Sequence, residues 1–205
     1  MKNTVITIAR SYGSGGKTLG KLLAEELHVN CYDRELLRLA SDESGINEAL
    51  FGAADEKKKN QSLFSIAKNI YKGEVFPPDS EEFTSGDNLF NYQAKVIKEL
   101  AETESCVIIG RCADFVLKDF DHTIRLFLYA PKENCIQRIV KQEGGEEKEI
   151  ARKIEKIDKY RAEYYKYHTG KDWYDARNYD LCIDTSSRSY SNLIQLVKNY
   201  IEENG

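Results

Sequence analysis

A three-layer α/β fold, with a parallel sheet flanked on both faces by helices, is what this sequence predicts. Three observations carry the expectation. Short β-branched runs alternate with longer stretches of helical period. The runs are continuous rather than alternating, and each ends in glycine, proline or a small polar turn before the next helix. Continuous apolar runs suit strands buried on both faces. Strands separated by helices are joined by right-handed crossovers instead of tight hairpins, which makes the sheet parallel.

The elements follow in chain order. Val5, Ile6, Thr7, Ile8 and Ala9 read as a strand, followed by a glycine turn and a helix over residues 17–27. A brief run over residues 29–32 suggests another strand. Residues 35–103 contain no clear strand but hold Gly52, Gly73, Pro77, Pro78 and Gly86. Two readings fit that stretch, an insertion of several helices with a mobile loop near residues 73–88, or a disordered surface loop. Cys106, Val107, Ile108 and Ile109 form a strand ending at Gly110. Residues 124–129 form another, closed by Ala130 and Pro131 before a helix from about Lys132. A long helix is expected over residues 149–168, a last strand over 181–183, and a last helix over 190–203. Ligands of such folds bind beyond the C-terminal ends of the strands, so chemistry is sought there.

The length of 205 residues suits one domain. With 41% hydrophobic and 31% charged residues, the chain can bury a core but is too polar to span a bilayer. No apolar run approaches the roughly 18 residues of a membrane helix. The opening MKNTVITIARSYGSGGK meets charge and glycine too soon for a secretion signal. Lys and Arg number 30 against 34 Asp and Glu, a net charge of −4, so the basic surplus of a nucleic-acid coat is missing. Five scattered cysteines (Cys31, Cys106, Cys112, Cys135, Cys182) argue against a disulfide framework and against a zinc site. His28, His122 and His168 share no metal-ligand spacing. The expectation is a soluble, reduced, cytoplasmic protein, monomeric or homodimeric, with neither nucleic acid nor membrane as partner.

Between the first strand and its helix lie Ser11, Tyr12, Gly13, Ser14, Gly15, Gly16, Lys17 and Thr18. The dinucleotide pattern GxGxxG fails at Thr18. The phosphate-loop pattern, GxxxxGK followed by Ser or Thr, fits except that its first glycine is Ser11. Consecutive glycines let backbone N–H groups point inward, and the helix N-terminus adds partial positive charge. Lys17 then lies near the β- and γ-phosphates of a nucleotide, and Thr18 offers its hydroxyl to Mg²⁺.

In the helix over residues 149–168, Ile150, Ile154, Ile157, Tyr164 and His168 form one stripe at 100° per residue. Arg161 falls inside it, with Lys156 and Lys159 on the opposite face. An arginine on an inward stripe needs a partner. Asp158, three residues earlier, is one, and a bound phosphate is the other. Arg111, directly after the strand ending at Gly110, stands at the ligand edge of the sheet. Cys112 beside it reads as a small buried hydrophobe, with a thiol pKa lowered by Arg111 as the alternative. The aromatic residues Tyr160, Tyr164, Tyr165, Tyr167, Trp173 and Tyr174 either stack a base or pack the long helix against the domain.

The segments GSGGKTLG, CYDREL, VIIGRCADFVL, IDKYRAEYYKYHTGKDW and NYDLCIDTS, in that order along nearly the whole chain, resemble the cytidylate kinase-like family of P-loop proteins. The resemblance implies a P-loop fold of the nucleoside monophosphate kinase type, as a single domain over 1–205. Its core would occupy about 1–34, 100–145 and 175–205, with a helical acceptor-binding insertion at about 35–99 and a lid at about 146–174. It implies ATP and Mg²⁺, and transfer of the γ-phosphoryl to a small acceptor, a nucleoside monophosphate such as CMP. Gly13, Ser14, Gly15, Gly16, Lys17 and Thr18 would hold ATP, with Arg138 flanking its base. Asp33, Gln93, Arg111 and Asp158 would serve the acceptor, Thr18 and Asp33 the metal, and Lys17, Arg111 and Arg161 catalysis. Where true cytidylate kinases read Asp-Gly-Arg-Asp, this chain reads Ile109, Gly110, Arg111 and Cys112, and Ala94 replaces the arginine of a Gln-Arg pair. Two alternatives stand beside that function, a non-catalytic nucleotide sensor and a kinase with a non-nucleotide acceptor.

Overall fold

The computed structural model describes residues 3–56 and 73–204. β1 (Val5–Arg10), β2 (Asn30–Tyr32), β3 (Cys106–Ile109), β4 (Thr123–Tyr129) and β5 (Leu181–Asp184) form one parallel sheet in the order β2-β3-β1-β4-β5. β1 runs down the middle, paired with β3 from Val5↔Cys106 to Ile8↔Ile109 and with β4 from Val5↔Thr123 to Arg10↔Leu128. The chain moves out to β2, doubles back to β3, then passes β1 to reach β4 and β5. Right-handed crossovers in opposite directions put successive helices on opposite faces.

Side chains of one strand alternate between those faces. Ile6, Ile8, Val107, Ile109, Leu126 and Leu128 pack with Leu19 and Leu23 of α1 (Gly16–Leu27) and Leu193 and Val197 of α8 (Tyr190–Asn204). Val5, Ala9, Cys106, Ile108 and Phe127 face the other way. There they meet α2 (Glu35–Ser44) and α4 (Gly86–Thr103), with α3 (Glu48–Glu56) packed beside them. Both faces are therefore apolar, and this is why the strands read as continuous hydrophobic runs.

Residues 57–72 of the stretch expected as an insertion lie outside the described residues. Residues 73–85, expected as a mobile or disordered loop, are turns tied down by Asn88, which is fully buried. Its Oδ1 accepts the Phe76 N–H at 2.7 Å, and its Nδ2 donates to the carbonyls of Phe76 and Phe83 at 3.1 and 2.8 Å.

Four helices complete the chain, α5 (Ala113–Val116), α6 (Lys132–Glu143), α7 (Glu147–Thr169) and the already placed α8. The stripe expected on α7 is split. Ile150, Ile154, Asp158, Tyr165 and His168 are buried, while Ile157 and Tyr164 face a cavity beside Arg161. The apolar residues of α7 serve two surfaces, one of core and one of cavity, so Asp158 takes the place on the buried seam that Ile157 was expected to hold. Among the described residues no helix is long and apolar enough to cross a membrane.

Candidate active site

The turn after β1 is shaped by Gly13 and Gly15, at φ 82° and 81°, a region open to glycine at little cost. Ser11, where the phosphate-loop pattern has glycine, needs no such freedom. Its φ is not positive, its N–H donates to Leu128 O at 3.0 Å, and its carbonyl accepts both the N–H and the Oγ–H of Ser14. The first helical bond of α1 runs from Leu19 N–H to Gly15 O, and no side chain caps the helix. The N–H groups of Gly16, Lys17 and Thr18 therefore lack an intrahelical acceptor and head the helix dipole.

Arg138 lines the same cleft, but its guanidinium is already spent on the protein. It donates to Ser14 O at 2.7 Å and to Thr185 Oγ1 at 3.0 Å, and also reaches Thr185 O. That bracing ties the loop to the end of β5.

Lys17 and Thr18 are exposed. Lys17 Nζ is 2.7 Å from Asp33 just past β2, and Arg10 reaches the same carboxylate at 3.8 Å. Burial alone would raise the Asp33 carboxyl, but the hydrogen bond from Lys17 and the charges of Arg10, Lys17 and Arg111 hold it below the usual range. Asp33, held ionised, and Thr18, with its exposed hydroxyl, are both oxygen donors of the kind Mg²⁺ takes. Among the described residues no cluster of three or more His, Cys, Asp or Glu side chains forms a metal site by itself.

Asp158 joins α7 to the loop. Its Oδ1 accepts the Tyr12 N–H at 2.8 Å and lies 3.5 Å from Arg161 Nη1, which also donates to Arg10 O at 3.0 Å. Burial raises the Asp158 carboxyl and lowers the Arg161 guanidinium.

Two cavities meet here. One, about 530 Å³, surrounds the glycine turn. The other, about 810 Å³, is walled by Arg111, Lys153, Lys156, Tyr160, Tyr164 and Trp173. Arg10 and Arg161 line both. Lys156 is exposed, as expected of a solvated face, and also borders the larger cavity. Of the aromatic group, Trp173 packs edge-on against Phe127 and Tyr164 against Phe90, so the same residues pack the domain and line the cavity. Gln93 is buried in α4 outside both linings, with an Oε1 that has no partner among the described residues.

Arg111 enters the larger cavity from an unusual backbone. Gly110, Arg111 and Cys112 take φ 79°, 62° and 53° in succession. For Arg111 and Cys112 that conformation costs on the order of 1 kcal/mol each. Cys112 is the small buried hydrophobe expected of it, and the alternative of a lowered thiol does not hold. Burial pushes the thiol well up, because Arg111 is outweighed by desolvation and by Asp114.

Arg10 and Asp114 are site residues that sequence reasoning missed. Arg10 was legible by the strand-end rule that picked out Arg111. Asp114 had no local signal. It is 6% exposed, lines the larger cavity, and accepts the Tyr165 O–H at 2.6 Å. Burial pushes its carboxyl up to about 6, against the Tyr165 hydrogen bond. An acid raised in this way stabilises the fold fully only below its ordinary value near 4, and loses that contribution as pH rises through 6. Asp114→Asn keeps an acceptor for Tyr165 and never ionises. Urea unfolding should find it more stable than wild type at pH 7.5 by about 2–3 kcal/mol, with the gap closing at pH 4. A gap that is independent of pH would disprove the burial account.

Comparison with known proteins agrees with this geometry. The chain is 27% identical over 209 residues to the cytidylate kinase of Methanopyrus kandleri, covering 98% of this chain and 94% of the relative. It is 26% identical to that of Methanococcoides burtonii, covering 98% of each. A crystal structure of an uncharacterized protein from Eubacterium ventriosum superposes with a TM-score of 0.73 at 26% identity, over 98% of this chain and 99% of the other. A shikimate kinase from Bacteroides thetaiotaomicron shares the fold, with a TM-score of 0.54 at 15% identity over 97% of this chain and 98% of that one. The family model for the cytidylate kinase-like family matches residues 5–187. With glycine turn, parallel sheet and family match all pointing one way, the chain belongs to the cytidylate kinase-like family and is a kinase of the P-loop type.

Proposed function

We propose that this protein transfers the γ-phosphoryl of Mg·ATP in line to a small acceptor monophosphate, with CMP the first candidate. The observation that carries the reading is the position of Arg161, on the wall shared by the glycine-turn cleft and the larger cationic, aromatic cavity. A donor phosphate in one space and an acceptor in the other would meet at that wall. In this reading Gly13 to Thr18 hold the ATP phosphates, and Lys17 exchanges its contact with Asp33 for one with phosphate. Arg111 grips the acceptor, and Arg161 neutralises charge on the transferring group. Thr18 and Asp33 are the metal-side ligands. Mg²⁺, when bound, neutralises phosphate charge. Such a reaction needs positioning and electrostatics more than acid–base chemistry. Residues 146–174 act as a lid and 35–99 as the acceptor side, and their closure excludes water.

One observation favours a wider acceptor class. Ile109, where true cytidylate kinases have a carboxylate, is fully buried in the sheet core. The carboxyl that does face the cavity is Asp114. A coupled ADP-release assay over CMP, the other nucleoside monophosphates and small non-nucleotide monophosphates decides. We expect one acceptor to stimulate ADP release at least ~100-fold over the hydrolysis background, on the scale of an oriented acceptor's advantage. Saturable ATP binding with no stimulation by any acceptor would leave the sensor reading in its place.

A further inference from the structure

Arg10 ends the central strand, with its backbone fixed by pairing against Leu128 of β4. Its side chain is only 19% exposed. The guanidinium lies so close to Gly110 that a Cβ there would collide with Nη1. This gives Gly110 a second duty beyond its positive φ.

What surrounds Arg10 does not satisfy it. Asp33, at 3.8 Å, is beyond hydrogen-bond distance and is already held by Lys17. Among the described residues the five N–H donors of this guanidinium make no hydrogen bond. Arg161 and Arg111 lie near enough to repel it, and Asp33 and Asp158 offset only part of that charge. Burial first, then Arg161, push the Arg10 guanidinium down to about 9. The guanidinium groups of Arg10, Arg111 and Arg161 thus gather about Asp33 and Asp158, and Asp33 is already held by Lys17. A desolvated guanidinium that makes no hydrogen bond and lies beside like charges is unfavourable. A dianion seated among them removes that cost.

We propose that Arg10 is an arm of a phosphate seat, gripping with Arg111 and Arg161 the dianionic phosphate monoester of the acceptor where the two cavities join. The inference deepens the proposed function and rests on it for the acceptor's identity. The seat itself is an anion site that binds whether or not transfer occurs. Its arms converge from three elements: the end of β1, the strained turn after β3, and α7.

The test is a thermal-shift titration with inorganic phosphate in the presence of saturating Mg·ADP, so that the glycine turn is filled and phosphate reports on the seat. We expect Arg10→Met to raise the phosphate midpoint at least ~10-fold. Arg177→Met, which removes an exposed arginine paired with Asp175, should keep the wild-type midpoint. A wild-type midpoint retained in Arg10→Met overturns the proposal, as does an equal weakening in both variants, or wild-type protein that phosphate does not stabilise. Should Arg10→Met fail to fold, Arg10→Lys, which keeps a charge but loses the planar fork, is read by the same criterion. The ADP shift reports nucleotide binding separately. A silent acceptor panel with an intact phosphate response would therefore defeat the proposed function and leave the seat standing.

Discussion

Lys17→Ala is expected to lower turnover about a thousandfold while the melting temperature stays within about 3 °C of wild type. The rate effect follows from where the ammonium sits. Lys17 is the second residue of α1, beside the unsatisfied N–H groups that head the helix. Charge that develops on a transferring phosphoryl is stabilised by groups already aimed at it, and removing one such donor costs roughly 3–4 kcal/mol of barrier, about a factor of 10³. The small stability effect follows from exposure. The Lys17 side chain is 56% exposed, so its contact with Asp33, short as it is, contributes under about 1 kcal/mol. Asp33 also keeps Arg10 nearby after the lysine is gone. Single-turnover kinetics beside a thermal melt separates the two quantities. A purified variant that turns over as fast as wild type would remove Lys17 from the transferring phosphates.

The sheet was legible because its strands carry a pattern that only double-sided burial explains. Val107, Ile108 and Ile109 divide between two cores, so no position in β3 tolerates a polar residue. Even the short edge strand announced itself, one residue longer in expectation than the observed Asn30–Tyr32. Helix faces were harder. Hydrophobicity does not distinguish a wall of core from a wall of cavity, and α7 has both, so Ile157 and Tyr164 were grouped with Ile150 and Ile154 although they serve different surfaces. The bracing contacts of Arg138 were not legible for a different reason. Its acceptors, Ser14 and Thr185, lie 124 and 47 residues away in sequence, and no local pattern reports such a bond. Asp114 is the same case, since its burial depends on Tyr165, 51 residues on. Periodicity therefore recovers the scaffold, while the polar interior is set by long-range partners.

Arg161→Ala should slow phosphoryl transfer by about three orders of magnitude, the scale of an arginine that neutralises a transferring phosphoryl, while ATP affinity changes less than ~5-fold. The difficulty is that Arg161 also belongs to a chain of contacts through Asp158 to the Tyr12 amide. A rate loss alone would fit a loop that had merely come loose. Removing the arginine leaves Asp158 buried with one cation fewer, and its carboxyl, already raised by burial, rises further. The single variant should therefore be less stable than wild type by about 1–2 kcal/mol at pH 7.5, and the loss should shrink as pH falls and Asp158 takes up its proton. Asp158→Asn in the same chain removes the stranded charge and keeps an acceptor for Tyr12. If Arg161 acts on the phosphoryl group, Arg161→Ala/Asp158→Asn recovers the melting temperature and not the rate. If both recover together, Arg161 is a brace for the loop, and the positive charge at the junction of the two cavities must come from Arg10 and Arg111 alone.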